Sequence, residues 1–169
     1  MTRLLFKVAK EIKEIEKENK KEKFSAGELM AQYVGTLRGL SIVHQQAHWT
    51  CQGDTYYGDH LLFDRLYNSV SDNVDTCAEK LVGVFGAEYL ELDSHMESAH
   101  KFVKFAMKYK ELDERCMAAE KAFLSFSKEL YDNLEKMDAL TLGLDDLIMS
   151  ISSEHETNVY LLGQRGKAE

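Results

Sequence analysis

No proline interrupts the 169 residues of this chain, and that absence constrains its fold more than any single motif. Proline is the residue that most strongly ends helices, and ordinary domains of this size use several in their turns. Without it, and with Ala, Leu, Glu, Lys and Met recurring throughout, local preference favours long, uninterrupted helices. Their limits must then be read from caps, glycines and the spacing of apolar residues.

Residues 1–23 form an arm in which Leu4, Leu5, Val8, Ile12 and Ile15 recur at three- and four-residue intervals between Lys and Glu, which predicts an amphipathic helix. "SAGE" at 25 to 28 is a capping box: the Ser25 side chain can accept from the backbone of Glu28, whose carboxylate can reach back. It opens a helix to about Thr50, with Leu29, Tyr33, Leu37, Leu40, Val43 and Ala47 on one stripe. Gly53 breaks that helix, and another is expected from about Tyr57 to Val84. "GVFGAEYLELDSHMESAH" (83 to 100) starts with two glycines and lacks a sustained period, so it reads as a loop with a short helix. Further helices follow from about Lys108 to Leu134 and from about Leu144 to Leu162. The expected fold is all-α: a ferritin-like four-helix bundle over residues 24–169, with an extra N-terminal helix and a short helix in the connection between the second and third core helices.

The net charge of −8 is divided unevenly, because the arm carries eight Lys/Arg against five Glu and the remainder 13 against 24 Asp/Glu. An acidic body repels nucleic acid and attracts metal cations. Cys51, Cys77 and Cys116 have neither the close pairing of a zinc knuckle nor a disulfide-framework spacing. They read as reduced thiols. No apolar run approaches the length of a signal peptide or a membrane span, which predicts a soluble, cytoplasmic protein without a membrane partner.

"HQQAHWTCQGDTYYGDH" (44 to 60) gathers three of the six histidines and the only tryptophan. On the helix that follows, His60, Asp64, Asp75 and Glu79 fall at about 0°, 40°, 60° and 100° around the axis, one stripe. Along the axis, however, His60 and Glu79 are about 28 Å apart, too far to share a metal. His60 with Glu79 and Asp64 with Asp75 are centred on one point, between Ser69 and Val70. A second copy packed antiparallel about that point therefore brings His60 to Glu79 and Asp64 to Asp75 of its partner, making two equivalent sites. His48, one turn before the end of the preceding helix, projects toward His60 as a further ligand. His44 is left in a supporting role, and Trp49 is expected to pack beneath the site. A lone acidic helix face is usually solvated surface. The histidines move the reading toward iron, manganese or zinc.

The stretch "HQQAHWTCQGDTYYGDHLLFDRLYNSVSDNVDTCAEKL" resembles the signature of the Dps family, the mini-ferritins: His-Trp, a glycine turn, an aromatic residue, a second His twelve positions after the first, then spaced Asp, Asp and Glu. "DDLIMSISSEHETNVYLLGQR" resembles the family's closing helix, so the likeness spans roughly residues 25 to 165. It implies an inter-subunit ferroxidase centre using His48, His60 and Asp64 of one chain with Asp75 and Glu79 of its two-fold partner. It also implies a di-iron site that zinc or manganese can occupy, Fe(II) and hydrogen peroxide as substrates, and a hollow twelve-subunit shell storing ferric mineral. Trp49 with Tyr56 or Tyr57 would intercept stray oxidising equivalents, although core packing is the favoured reading for them. Asp138, Asp145 and Asp146 are candidates for a three-fold iron pore, or for dipole-favoured helix-start residues. His95, His100 and His155 have no evident partners and read as surface or packing residues. The alternative is a DNA-binding shell using the arm, with little or no oxidase activity. The arm's alternation of Lys with Glu departs from the Lys-rich tails of DNA-coating family members.

Overall fold

A computed structural model of the chain describes residues 24–165, so the helical arm expected over residues 1–23 lies outside the described residues. Five helices follow: α1 (Ala26–Thr50), α2 (Tyr56–Phe85), α3 (Leu92–Ala106), α4 (Leu112–Lys136) and α5 (Leu142–Arg165), with a 3-10 turn at Ala87–Tyr89. The described residues contain no strand. The result is an all-α bundle of α1, α2, α4 and α5, with α3 in the long connection and packed chiefly on α1.

The capping box at the start of α1 forms in full, Glu28 N donating to Ser25 Oγ at 3.3 Å and Ser25 N to Glu28 Oε2 at 2.7 Å. Two orphan backbone donors are thereby satisfied by residues three apart. The apolar stripes meet in one core: Tyr33 and Leu37 of α1, Phe63 and Leu66 of α2, Phe123 and Leu130 of α4, and Leu144 and Ile148 of α5 are all almost completely buried. Tyr33 packs on the ring of Phe123 at 5.1 Å between centroids. Its hydroxyl accepts from Ser127 at 3.2 Å.

The connection is more helical than expected, because α3 has 15 residues. Its buried positions Ala99, Phe105 and Ala106 lie mostly beyond the glycine-led window that reads as loop. It lies very close to α1: a Cβ at Gly39 would come 2.7 Å from the Ala99 carbonyl oxygen, and one at Gly35 would come 2.8 Å from that of His95. Helix α4 starts at Leu112 rather than near Lys108. The buried Arg115 ties the preceding turn down by donating to Tyr109 O at 3.0 Å, Lys110 O at 2.9 Å and Gln46 Oε1 at 2.8 Å. An arginine thus supplies turn chemistry that glycine or proline would normally announce. Helix α5 runs to Arg165 rather than ending near Leu162. None of the described helices is long and apolar enough to cross a membrane.

Candidate metal centre

The end of α1 and the start of α2 are joined by a four-residue turn after Cys51 in which Gly53 takes φ 93°, a conformation that costs glycine little. That reversal lays the last turn of α1 against the first turn of α2. His48 Nδ1 lies 3.1 Å from the backbone oxygen of His60, and His60 Nδ1 lies 3.1 Å from the backbone oxygen of His48. A carbonyl oxygen only accepts, so each Nδ1 carries the proton and each neutral ring keeps its lone pair on Nε2. The rings stack at 3.9 Å between centroids, and Tyr56 stacks on His60 at 5.2 Å. His48 Nε2 faces Asp64 Oδ1 at 3.9 Å, with the Asp64 side chain 48% exposed. Two imidazoles and an open carboxylate therefore lie near one corner of the bundle, donor types that a borderline divalent cation takes, without closing a site in one copy.

Asp75 and Glu79 are exposed on α2, farther along the helix from this corner. Among the described residues no group of three or more His, Cys, Asp or Glu is placed to hold a metal ion. A single copy pairs His48 with His60 and sets Asp64 beside His48, but these three do not form a closed metal site, and Asp75 and Glu79 lie farther along α2.

An ion pair absent from the sequence reading adjoins the corner. Asp59, directly before His60, is buried, and Arg165 donates to both its oxygens, Nε to Oδ1 at 2.6 Å and Nη2 to Oδ2 at 2.8 Å. Thr55 Oγ1 adds a third donor at 2.7 Å. The Arg165 hydrogen bonds hold the Asp59 carboxyl below the usual range, burial pushing the other way and Thr55 adding a smaller lowering. Nothing local in the sequence links residues 59 and 165.

His44 has a core partner in place of a supporting role at the metal corner, and His155, a packing residue as expected, has a partner that the sequence did not reveal. Both are fully buried and grip the fully buried Glu120, His44 Nε2 at 2.7 Å from Oε1 and His155 Nδ1 at 2.6 Å from Oε2. Asn158 Nδ2 donates to Oε1 at 3.2 Å. Burial pushes the Glu120 carboxyl up, but the charge and hydrogen bond of His155 and then those of His44 outweigh it and hold the group at about 2. His44 therefore belongs to the bundle core. The signal for this network was polar residues at apolar stripe positions: Glu120 lies between Cys116 and Phe123, and His155 and Asn158 lie between Ile151 and Leu162.

Trp49 does not pack beneath the site in the single chain but is 68% exposed, and Tyr57 is 75% exposed. Core packing is not the role of either residue within one copy. The three cysteines are free and buried, as expected of small apolar residues, with burial pushing the Cys77 thiol up to about 12. Asp145 sits in the first turn of α5, and Asp138 adopts φ 55° after the end of α4.

No family model matches the chain. Among curated proteins, it is 26% identical over 72 residues to the DNA protection during starvation protein of Listeria innocua, covering 43% of this chain and 46% of the relative. It is 29% identical over 104 residues to the nutrient stress-induced DNA-binding protein of Synechococcus, covering 58% and 57%. The chain thus matches about half the length of these relatives. Among solved structures, a Dps from Microbacterium arborescens in a high-iron form superposes with a TM-score of 0.65 at 21% identity, covering 85% of this chain and 93% of that one. A variant of Listeria innocua Dps gives a TM-score of 0.69 at 16% identity, covering 82% and 93%.

Proposed function

We propose that this chain, for which sequence and fold both support the Dps family, is a ferroxidase and iron store built as a hollow, twelve-subunit shell. The observation that carries the reading is the reciprocal pairing of His48 with His60 beside Asp64, which leaves both Nε2 lone pairs unspent. In an antiparallel two-fold dimer, Asp75 of the partner subunit and Glu79 of the partner subunit complete the ligand set. The partner's carboxylates supply the hard oxygen donors that favour Fe(III) over Fe(II).

Iron enters this reaction as substrate. Two Fe(II) ions each give one electron to hydrogen peroxide, the O–O bond breaks, and two protons complete two waters. Pairing the electrons avoids hydroxyl radical, the product of one-electron peroxide reduction. The backbone carbonyls of residues 48 and 60 keep each imidazole in its metal-binding tautomer, and two imidazoles with few neighbours leave coordination positions open for the oxidant. Asp138, Asp145 and Asp146 would line an entry pore, and zinc or manganese would compete for the same donors.

Stopped-flow mixing of anaerobic Fe(II) with peroxide tests the assignment. The double variant His60→Ala, Asp75→Ala is expected to lose rapid oxidation while the assembly persists, and unchanged kinetics would overturn it. The competing reading, a shell that binds DNA through residues 1–23, predicts salt-dependent gel retardation that disappears when the arm is deleted.

A further inference from the structure

We propose that the Asp59–Arg165 ion pair is a positioning device for the metal half-site, by which the end of the last helix holds His60 in ligand orientation. The inference rests on the metal-site reading above. Three observations carry it. First, α2 begins without a side-chain cap: the hydroxyl of its N-cap residue, Thr55, accepts from no backbone N–H of the first turn and donates to Asp59 Oδ2 instead. An uncapped first turn frays readily, and His60 lies close to it.

Second, the ion pair fastens that turn from outside the helix. Asp59 Oδ1 and Oδ2 accept from Arg165 Nε and Nη2 at 2.6 and 2.8 Å, a two-pronged contact with the Asp59 side chain only 6% exposed. Such a fork fixes direction as well as distance. Arg165 Nη1 is also anchored to Asp113 Oδ2 of α4 at 3.3 Å, so the clamp ties three helices together.

Third, the clamp and the ligands occupy adjoining stripes of α2. The Arg165 guanidinium reaches Asp59 and lies 5.9 Å from the centre of the Phe63 ring, one turn later. His60 and Asp64 are the next residue in each case, about 100° further round the helix. Holding Asp59 and Phe63 therefore sets the rotation at which His60 and Asp64 face His48. The His60 carbonyl that accepts from His48 Nδ1 belongs to the residue directly after the fastened Asp59. Arg165 touches neither His48, His60 nor Asp64 in the contacts described, so its action on the metal passes through the backbone of α2.

The test is Co(II) titration of the full-length assembly, read by visible absorption, beside thermal melting. Asp59→Asn and Arg165→Gln are each expected to weaken Co(II) binding about 10- to 100-fold, the range for residues supporting metal ligands. Arg165→Lys keeps the charge but loses the fork, and should fall between wild type and Arg165→Gln. Because both residues serve one interaction, the double variant should lose no more than the worse single variant. Lower melting temperatures with unchanged Co(II) affinity in both single variants would mean a merely structural pair and would overturn the proposal. Additive losses would overturn it too. His60→Ala separates the two readings: if it binds Co(II) as wild type does, the metal-site assignment itself has failed, whereas loss in His60→Ala with full binding in Asp59→Asn rejects only the positioning role.

Discussion

His48 and His60 each donate Nδ1–H to the other's backbone carbonyl oxygen at 3.1 Å, so two residues on opposite sides of a turn lock each other's rings. The pairing leaves a pyridine-type Nε2 on both residues. In mildly alkaline solution, nitrogen NMR of the labelled protein should find both imidazoles protonated at Nδ1. Addition of Zn(II) should shift both Nε2 resonances, and a rapid mixture of tautomers at either residue would contradict the geometry.

Splitting the site between copies makes complementation possible. Chains carrying His60→Ala and chains carrying Glu79→Ala should each be inactive alone. Refolded together in equal amounts, they should recover about a quarter of the wild-type sites, since half the dimers are mixed and each mixed dimer keeps one intact site. Fe(II) oxidation that stays at zero in the mixture would place all ligands within one chain or exclude the proposed two-fold.

Acid stability should depend on Glu120. Its folded-state pKa of about 2 lies below the ordinary 4.5, so its contribution is complete above the unfolded value and is lost as pH falls from about 4.5 through about 2. Removing the carboxylate strands two buried histidines, and Glu120→Ala should destabilise the fold by roughly 3–5 kcal/mol at neutral pH. Glu120→Gln keeps the shape and should flatten the stability profile over that acid window. Circular dichroism during acid titration provides the comparison, and an unaltered profile would show that the network contributes nothing to acid response.

Gly39 faces the backbone of α3, where an added Cβ would meet the Ala99 carbonyl oxygen at 2.7 Å. Alanine improves helix propensity by about 1 kcal/mol. Overpacking against a backbone atom that cannot rotate away costs about 1–3 kcal/mol, so the clash should win and Gly39→Ala should lower the melting temperature. Gly83 is in α2 with nothing within 4 Å of such a Cβ, and Gly83→Ala should raise it.

Much of the fold was legible because its signals are local. The Ser25–Glu28 cap, the break at Gly53 and the apolar stripes all act within a turn or two of chain, and they predict the four core helices closely. Boundaries failed where a distant residue intervened, as at α4, whose preceding turn is held by Arg115, itself bonded to Gln46 of α1. Of the candidate site, the facing of His48 and His60 was readable from a helix-turn-helix spacing. Asp75 and Glu79 were readable only as a stripe needing another copy. The exposure of Trp49 was not readable, because an aromatic residue looks the same in sequence whether it fills a core or faces outward.

What the sequence by itself determined is which segments are helical and which faces are apolar, since propensity, capping and periodicity depend on near neighbours alone. Tertiary structure alone decided that Glu120 lies between His44 and His155, and that Arg165 returns to grip Asp59. Those pairs join residues 76, 35 and 106 positions apart. Their formation depends on how three or more helices slide and rotate against one another. Burial then makes each partner obligatory, because a charge removed from water without one is too costly to keep.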